Sequence, residues 1–344
     1  MRLKDVARQA GVSTATVSHV INNTKHVTAV TREKVLRAIK QCNYYANAHA
    51  RTLASGRSNI IGLLVSDISN PFFPELVKSI EDAAFGHDYN VILFNTNYDA
   101  RRAADYVRRL IELKVAGVAL MTTEFDVKLI DELARKQVPV VLHNVGTTGE
   151  HMSDIVVDYA AGIDEAVKHL VSLGHKNIVH IAGPTRFRSA NLRRKAFLDS
   201  IARHLPRAPK PAIYEGDFKF EGGRRAANEI LKAGKLPTAV IVANDMMALG
   251  AMQEFRAASL TIPRDISIVG FDDITFAALA EPPLTTVHSP RIEIGRKAIE
   301  ALMATIKQSG HSGEEVRVKT HLVLRGTTAL PSKTPTSQSH GRKI

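Results

Sequence analysis

The sequence of 344 residues contains a single cysteine, Cys42, and no tryptophan. A lone cysteine excludes an intramolecular disulfide and a thiolate metal cluster. No apolar run approaches the roughly 20 residues that a membrane helix needs, and the first residues, MRLKDVARQAG, lack the apolar segment of a signal peptide. We therefore expect a cytoplasmic protein without a membrane anchor.

Motifs that carry catalysis or bind a cofactor are also missing. The chain has no P-loop, no G-x-G-x-x-G turn after a strand, no nucleophile elbow and no H-E-x-x-H helix. Its 14 histidines are many, but HNVGTTGEHMSD and LGHKNIVHIAG lack the clustered spacing of metal ligands. We expect neither an enzyme nor a protein that holds a metal ion or a cofactor.

Acidic residues are scarce at the start of the chain. Residues 1–57 hold ten Lys/Arg and two Asp/Glu, whereas residues 58–330 hold 33 basic and 32 acidic groups. A basic head on a nearly neutral body is typical of proteins that bind a polyanion, because neutralised phosphates release their counterions. A solvated basic surface without a partner is the alternative.

The basic head has the pattern of three short helices. Gly11 separates a first apolar-periodic stretch from a second, and Ser13 is a suitable N-cap for the second helix. In that helix Val17, Val20 and Ile21 form the predicted buried stripe. A third helix is predicted from about residue 28, with Val35, Leu36 and Ile39 pointing inward.

The exposed face of the second helix is short and polar, with Thr14, Ala15, Ser18, His19 and Asn22. Hydroxyl and imidazole groups can bond to base edges, and small side chains let a helix enter the major groove. This face predicts a helix-turn-helix that reads DNA. A three-helix module that binds protein is the alternative.

The stretch KDVARQAGVSTATVSHVINN, followed by TREKVLRAIKQCNYYANAHARTLASGRSNIIGLLV, resembles the head and hinge of the LacI/GalR family of bacterial transcription regulators. STATVSHVIN is most similar to the purine and ribose repressors. The resemblance implies base contacts from Thr14, Ala15 and His19. It implies capping or phosphate-contacting roles for Ser13, Thr16, Ser18, Asn22, His26 and Thr28.

The resemblance also implies a hinge over residues 46–57, after a DNA-binding head over residues 1–45. In the family this hinge folds on the operator, and leucines wedge into the central base step, the position that Leu53 occupies here. Arg51, and Arg57 with it, would lie near phosphates, and Ala54 belongs to the same DNA-contacting segment. Packing of Leu53 on the first strand of the body is the alternative.

Beyond residue 58, apolar runs alternate with amphipathic helical stretches. The runs IIGLLV, NVILFN, GVALMT, VPVVLHN, NIVHIAG, AVIVAN and ISIVGFD are typical of fully buried parallel strands. Repeated strand and helix predict a doubly wound α/β body, and its length favours two lobes. The resemblance implies a periplasmic-binding-protein-like body over residues 58–330, crossed by the chain near Asp158, His288 and Thr320. The first lobe would take about 58–158 and 290–319, the second about 159–289 and 320–330.

Ligands bind such sheets beyond the carboxyl ends of the strands. The loops there are rich in Asn, Asp, Arg and Phe, which predicts a polar small-molecule site. The resemblance implies effector contacts from Arg193, Asn244 and Asp272, with a lining of Phe72, Phe73, Asn144, Ser189 and Phe218. Helix capping is the alternative for Asn70, Asp245 and Asp272, and Asp245 is expected to be structural.

The stretch GPTRFRSANLRRK bears on the class of effector. If Arg186, Arg188 or Arg194 faced the cleft beside Arg193, a sugar acid or sugar phosphate would be favoured over a neutral sugar. If those three lie on the surface, the argument for an acidic ligand disappears.

Together these features predict a sequence-specific transcriptional regulator, a repressor or less often an activator, that binds a near-palindromic operator as a homodimer. A small-molecule effector between the lobes, a sugar or sugar derivative and less readily a purine, controls its operator affinity. A purely sugar-binding protein would share the body but lack the head. The regulator would act in the bacterial cytoplasm, on the nucleoid when bound. Residues 331–344, PSKTPTSQSHGRKI, are predicted to be a disordered tail without leucine heptads.

Overall fold

The computed structural model describes residues 2–22, 25–44, 58–122, 125–307 and 312–332. The predicted hinge, with Arg51, Leu53 and Ala54, and most of the predicted tail lie outside the described residues. The chain divides into two units, residues 1–59 and residues 60–344.

The first unit contains three helices among its described residues: α1 Leu3–Ala10, α2 Thr14–Asn22 and α3 Ala29–Gln41. Gly11 ends α1 with a left-handed φ of 67°, a conformation that glycine adopts without steric cost. The small core includes Val6, Val17, Val20 and Val35. Cys42 is buried in the same core and ends α3.

One sequence prediction about this unit is wrong. Leu36 does not point inward, because 51% of it is exposed. Ala38 takes the buried position instead, and Ile39 is half-buried against the same cluster. A helix of this small unit presents a narrow stripe to its two neighbours, so one leucine in a run of apolar residues is left on the outer side.

The second unit is built on twelve strands among its described residues. They are β1 Ile60–Val65, β2 Asn90–Asn95, β3 Gly117–Met121, β4 Val140–His143, β5 Met152–Asp158, β6 Ile178–Ala182, β7 Ile213–Glu215, β8 Ala239–Val242, β9 Ser267–Asp272, β10 Thr285–His288, β11 Glu315–Lys319 and β12 His321–Val323.

Nine helices cover these strands in the described part of the second unit. They are α4 Phe72–Phe85, α5 Ala100–Glu112, α6 Val127–Arg135, α7 Tyr159–Ser172, α8 Arg188–His204, α9 Phe220–Lys232, α10 Asp245–Ala257, α11 Thr275–Leu279 and α12 Arg291–Lys307.

The strands form two six-stranded sheets. The first has the order β11-β5-β4-β3-β1-β2, and the second has the order β12-β10-β9-β8-β6-β7. All pairings are parallel except that of β10 with β12. We call the two sheets with their covering helices the first lobe and the second lobe. The chain passes between them after Asp158, after His288 and at Thr320.

Each central strand is covered on both faces. Ile61, Leu63 and Val65 of β1 belong to the same core as α4. Leu64 of the same strand belongs to a second core with Val107 of α5. Alternate side chains of a strand point to opposite faces, so helices on both faces explain the near-continuous apolar runs.

The prediction of full burial is wrong for β2. It lies at the edge of its sheet, and its side chains are half-buried or exposed, with 38% of Leu93 exposed. An apolar run does not distinguish a central strand from an edge strand, because position in the sheet depends on the topology.

Candidate DNA-binding surface and effector cleft

The second helix of the head presents a short polar surface. Val17 and Val20 face the core, whereas Thr14 and Ala15 are exposed and Ser18 and His19 are half-buried. The small side chains of Thr14 and Ala15 allow the backbone of α2 to come close to the floor of a groove. The geometry is suited to insertion into a major groove, where hydroxyl and imidazole groups reach base edges.

The helices α2 and α3 each follow a residue whose side-chain hydroxyl caps the helix. Ser13 Oγ accepts a hydrogen bond from the backbone N–H of Thr16 at 3.0 Å, and it lies 2.9 Å from Thr16 Oγ1. Thr28 Oγ1 accepts from the N–H of Thr31 at 3.4 Å and so caps α3. These bonds satisfy N–H groups that have no partner inside a helix. Ser13, Thr16 and Thr28 therefore have structural roles, which leave their predicted phosphate contacts untested.

The structure says less about two other predicted DNA contacts, His26 and Asn22. His26 is exposed in the turn before α3. Asn22 ends α2, and its side chain is not among those described. The roles of these residues and of the hinge stay predictions.

A cleft lies beyond the carboxyl ends of the strands of both lobes. Seven of the eight predicted effector residues line it: Phe72, Phe73, Ser189, Arg193, Phe218, Asn244 and Asp272. The remaining lining comes from Ser66, Asn70, Tyr98, Met121, Thr122, His143 and Tyr159. Its lining mixes aromatic and polar groups, as in sites that bind small organic molecules.

Arg193 and Asp272 form the charged centre of the cleft. Arg193 Nη2 lies 3.3 Å from Asp272 Oδ1, and Nη1 donates to the carbonyl of Ala243. The guanidinium carbon lies 4.0 Å from the centre of the Phe271 ring and 4.7 Å from that of Tyr159. Arg193 Nε is buried and has no hydrogen-bond partner. The protein thus fixes the arginine by stacking and leaves one donor unused.

Burial is the largest influence on the pKa values of Asp272 and Asp245. It raises the pKa of Asp272 to about 6, against the opposing effect of the charges of Arg193 and Arg291. Burial also raises the pKa of Asp245 well above its ordinary value, and the charge of Asp272 adds to the increase. Asp245 accepts hydrogen bonds from the N–H of Ile274 and from Thr286 Oγ1, which gives it the structural role expected of it.

A histidine in the cleft is held neutral. Burial, with the charge of Arg193, lowers the pKa of His143 to about 4. Its Nε2 lies 3.4 Å from the hydroxyl of Tyr159, and its Nδ1 has no hydrogen-bond partner. A neutral imidazole offers a donor or an acceptor without adding a charge.

Asn244 holds Phe218 in place. Its Oδ1 caps α10 by accepting from the N–H of Met247 at 3.0 Å, and its Nδ2 donates to the carbonyl of Phe218 at 2.9 Å. Phe218 has a left-handed φ of 65°. A Cβ on Gly183 would lie 2.3 Å from the Phe218 ring, so a glycine is needed there for the ring to enter the cleft.

Aromatic rings form the walls. Phe72 and Phe73 of the first lobe meet edge to face with centroids 5.2 Å apart. Phe187 is buried and is not among the lining residues, but it stacks on two rings that are, Tyr98 at 5.1 Å and Phe218 at 6.2 Å. Such faces cover the apolar side of a sugar ring or a planar base.

Asn144 is the predicted effector residue that does not line the cleft. Its Nδ2 donates to the hydroxyl of Tyr159 at 2.7 Å, and its Oδ1 accepts from the N–H of Val157 at 2.8 Å. Its carbonyl accepts from Arg188 Nε at 2.7 Å. Asn144 instead lines an adjoining cavity and positions Tyr159.

The basic stretch contributes one charge to the cleft lining. Arg186 and Arg188 are exposed, Arg194 is half-buried, and none of the three is among the residues that line the cleft. Arg186 lies against the ring of Phe187, 4.5 Å from its centroid.

Asn70 accepts from the N–H of Phe72 at 3.0 Å, so it both stabilises the start of α4 and lines the cleft.

Sequence reasoning missed several lining residues. Tyr159 and His143 are the most informative, because Tyr159 lies against the Arg193 guanidinium and His143 lies against the Tyr159 hydroxyl. Tyr159 directly follows β5, whose residues MSDIVVD are too polar for an apolar-run criterion. His143 ends β4, a strand that was predicted, so its position at the carboxyl end was the signal that could have identified it.

Two sequence profiles match the chain. Residues 2–47 match "Bacterial regulatory proteins, lacI family", and residues 167–328 match "Periplasmic binding protein-like domain". The "HTH-type transcriptional repressor PurR" of Photobacterium profundum is 37% identical over 324 residues, which cover 94% of this chain and 97% of the relative.

Solved structures agree with these matches. The Lac repressor dimer bound to operator and the anti-inducer ONPF has a TM-score of 0.86 at 31% identity, covering 96% of this chain and 99% of the other. The complex of the transcriptional regulator CelR with cellobiose has a TM-score of 0.70 at 29% identity, covering 95% and 99%.

A helix-turn-helix unit and a two-lobed unit with a ligand cleft define a transcription regulator controlled by a small molecule, not an enzyme. The chain belongs to the lacI family of bacterial regulatory proteins. The predicted fold class, a helical head with a periplasmic-binding-protein-like body of two sheets, is confirmed, as is the function of a DNA-binding repressor under effector control.

In the described part of the chain, no helix is long and apolar enough to span a bilayer. The same residues contain no group of three or more His, Cys, Asp or Glu that could hold a metal ion.

Proposed function

We propose that the effector is a neutral, hydroxyl-rich molecule, a sugar or sugar derivative. The observation that carries this proposal is the Arg193–Asp272 pair. Among the described residues that line the cleft, Arg193 is the single arginine or lysine, and its charge is already paired with Asp272. A carboxylate or phosphate at this position would approach Asp272 as well, whereas a hydroxyl can accept from the Arg193 guanidinium and donate to the carboxylate.

The surroundings support a ring-shaped ligand. Phe218 and the pair of Phe72 and Phe73 present apolar faces from the two lobes. The complex of CelR with cellobiose shows that a related two-lobed regulator takes a sugar. The aromatic faces of Phe72, Phe73 and Phe218, with the neutral His143, favour a purine base as a second candidate.

A thermal-shift screen followed by calorimetry tests the effector class. The panel is ribose, glucose, galactose and cellobiose, with gluconate and glucose 6-phosphate as anions and hypoxanthine and guanine as bases. A ligand that binds the native state alone raises the unfolding temperature by mass action. We expect a neutral sugar to give the largest shift and Asp272→Asn to remove it. Tight binding of the anions without any neutral sugar would contradict the proposal.

For the head, we propose that Thr14, Ala15 and His19 read bases, and that the capping residues and His26 approach phosphates. The exposed polar face of α2 supports this assignment. Residues 46–57 would form the hinge between a DNA-binding region, 1–45, and an effector region, 58–330. Selection of bound sequences from random DNA at moderate salt tests it, with a near-palindromic motif as the expected result. The protein would then work in the bacterial cytoplasm, on the nucleoid when bound.

Within that hinge, we propose that Leu53 wedges into the central base step and that Arg51 and Ala54 flank the contact. Apolar wedging favours flexible pyrimidine-purine steps. Leu53→Ala should weaken binding to the selected duplex and leave the affinity of the cleft for its sugar unchanged. Unaltered operator binding would refute the wedge.

We propose a homodimer in which a second copy of the chain covers an apolar surface of the second lobe. Phe276 is 54% exposed and Leu279 is 73% exposed, and they border a groove with Met246, Leu249 and Met252. A related repressor is described as a dimer bound to operator. Sedimentation velocity should show a dimer that Leu279→Arg dissociates, because a charge cannot be buried unpaired at such an interface.

A further inference from the structure

The turn that carries Asp272 has an unfavourable backbone conformation. Asp272 has a φ of 116° and Asp273 has a φ of 60°. Residues with side chains rarely adopt positive φ, and two in succession persist only where the surroundings hold them. One buried side chain, Arg291, binds both backbone carbonyls of the turn. Its Nη1 donates to the carbonyl of Asp272, and its Nη2 donates to the carbonyl of Asp273 at 2.7 Å.

Arg291 belongs to the opposite lobe from the turn that it holds. It begins α12, which packs on β3, β4 and β5 of the first lobe. Its Nε donates to Glu75 Oε2 of α4 at 2.9 Å, and Thr275 of the second lobe donates through Oγ1 to Glu75 Oε1 at 3.2 Å. We call Glu75, Thr275 and Arg291 the interlobe clasp. Three bonds of the clasp cross between the lobes: those from Arg291 to Asp272 and Asp273, and that from Thr275 to Glu75.

The clasp also contacts the cleft from two sides. Asp272 is the acidic half of the charged centre, and Phe72 of α4 lines the cleft from the first lobe. The guanidinium carbon of Arg291 lies 5.9 Å from the centre of the Phe72 ring. A ligand that engages Asp272 and Phe72 therefore touches two groups that the same arginine holds.

The side chain of Asp273 ties the turn to the chain crossings. His288 Nδ1 lies 2.8 Å from Asp273 Oδ2, and Arg325 Nη2 lies 2.6 Å from Oδ1. His288 ends β10, directly before the second crossing, and Arg325 follows β12, which begins after the third. The turn thus connects the effector cleft, the first lobe and two of the three crossings.

We propose that Arg291 is a positioning residue and that the interlobe clasp transmits the occupancy of the cleft to the arrangement of the lobes. A ligand shifts an equilibrium between two arrangements only if its contacts differ between them. The clasp supplies that difference, because its bonds cannot all persist when one lobe rotates against the other. The proposal rests on the ligand-controlled function proposed above and adds the residues that carry the control.

The test uses the full chain, without ligand, and the duplex recovered by selection from random DNA. Glu75→Gln and Arg291→Lys weaken the clasp with little change in shape. Both should shift the dissociation constant for the duplex in the same direction by about threefold or more, although neither lies in the DNA-binding unit. The matched control is Glu300→Gln, which removes an exposed ion pair with Arg296 on the same helix, where the two groups lie 2.6 Å apart. It should leave the affinity unchanged.

Hydrogen exchange supplies a readout that does not depend on DNA. Glu75→Gln should speed exchange of amides in residues 270–276 of the other lobe, while Glu300→Gln should not. Unchanged duplex affinity and unchanged exchange in both clasp variants would overturn the proposal, as would affinity shifts of opposite sign. If the unmodified chain bound no selected duplex, the proposed operator recognition would fail, and the exchange result alone would decide on the clasp.

Discussion

The guanidinium of Arg193 and the carboxylate of Asp272 lie 3.3 Å apart, with only 9% and 5% of their side chains exposed. A buried pair of this kind loses much of its electrostatic gain to desolvation, so stability alone does not explain it. Both residues line the cleft, where a ligand can contact them.

Effector affinity should depend on pH through Asp272. Its pKa is raised to about 6, and a sugar hydroxyl that donates to the carboxylate binds only the ionised form. Lowering the pH from 8 should therefore raise the dissociation constant about twofold at pH 6 and about tenfold at pH 5. Calorimetry with the best sugar of the panel measures this. An affinity that is flat from pH 8 to pH 5 would show that the carboxylate does not accept from the ligand.

His143 should lower stability in mild acid. Its pKa falls from an ordinary value of 6.5 to about 4 on folding, so the folded state excludes a proton that the unfolded chain takes up. The free energy of unfolding is unaffected by this group above its unfolded pKa of about 6.5. It decreases as the pH falls from about 6.5 towards 4, by about 2 kcal/mol at pH 5. Denaturant unfolding of His143→Gln and the unmodified chain at pH 7 and pH 5 isolates this group. Asp272 has the opposite sign, since its raised pKa favours the folded state at low pH.

Gly183→Ala should displace Phe218. The new methyl group would meet the ring at 2.3 to 2.8 Å, closer than any real contact. We expect a loss of about 1 to 3 kcal/mol in unfolding free energy and weaker binding of the sugar. In Gly183→Ala/Phe218→Leu the smaller side chain makes room, so the double variant should regain part of the stability but not the binding. Additive losses in the double variant would show that the ring is not the obstacle.

Ser13→Ala should weaken the head alone. Its hydroxyl accepts from the N–H of Thr16 at 3.0 Å, and the loss of an N-cap costs about 1 kcal/mol. Binding to the selected duplex should fall, because the start of α2 frays, while sugar binding by the second unit stays unchanged. Ser13→Asp, which can cap but adds a negative charge beside DNA, should restore the unfolding temperature without restoring binding.

The sequence predicts the α/β body well because buried parallel strands are apolar over their whole length. All seven apolar runs form strands. Strands of mixed polarity are missed, as EVRVK of β11 illustrates. It occupies the edge of the first sheet, so exposed charged side chains alternate with less exposed valines. An apolar-run criterion cannot detect a strand whose exposure follows from its position in the sheet.

The cleft is predicted less completely, for a related reason. Asp272 could be identified from its place after an apolar strand, but its positive φ depends on Arg291, which is 19 residues away. Asn144 follows a predicted strand, yet its amide turns to Tyr159 rather than to the cleft. Which way a side chain points beyond a strand depends on partners that the local sequence does not contain.

The edge strand β11 has a consequence for the synthesis of the protein. Residues 315–319 complete a sheet whose other five strands lie before residue 159, and α12 reaches the same lobe only after the whole second sheet except β12 has been made. Domains that are continuous in sequence can fold as they leave the ribosome, N-terminal part first. Here the first lobe must wait, incomplete, until nearly the entire chain has emerged. A truncated product that ended within the second lobe would leave β5 as an unpaired edge, ready to pair with other chains.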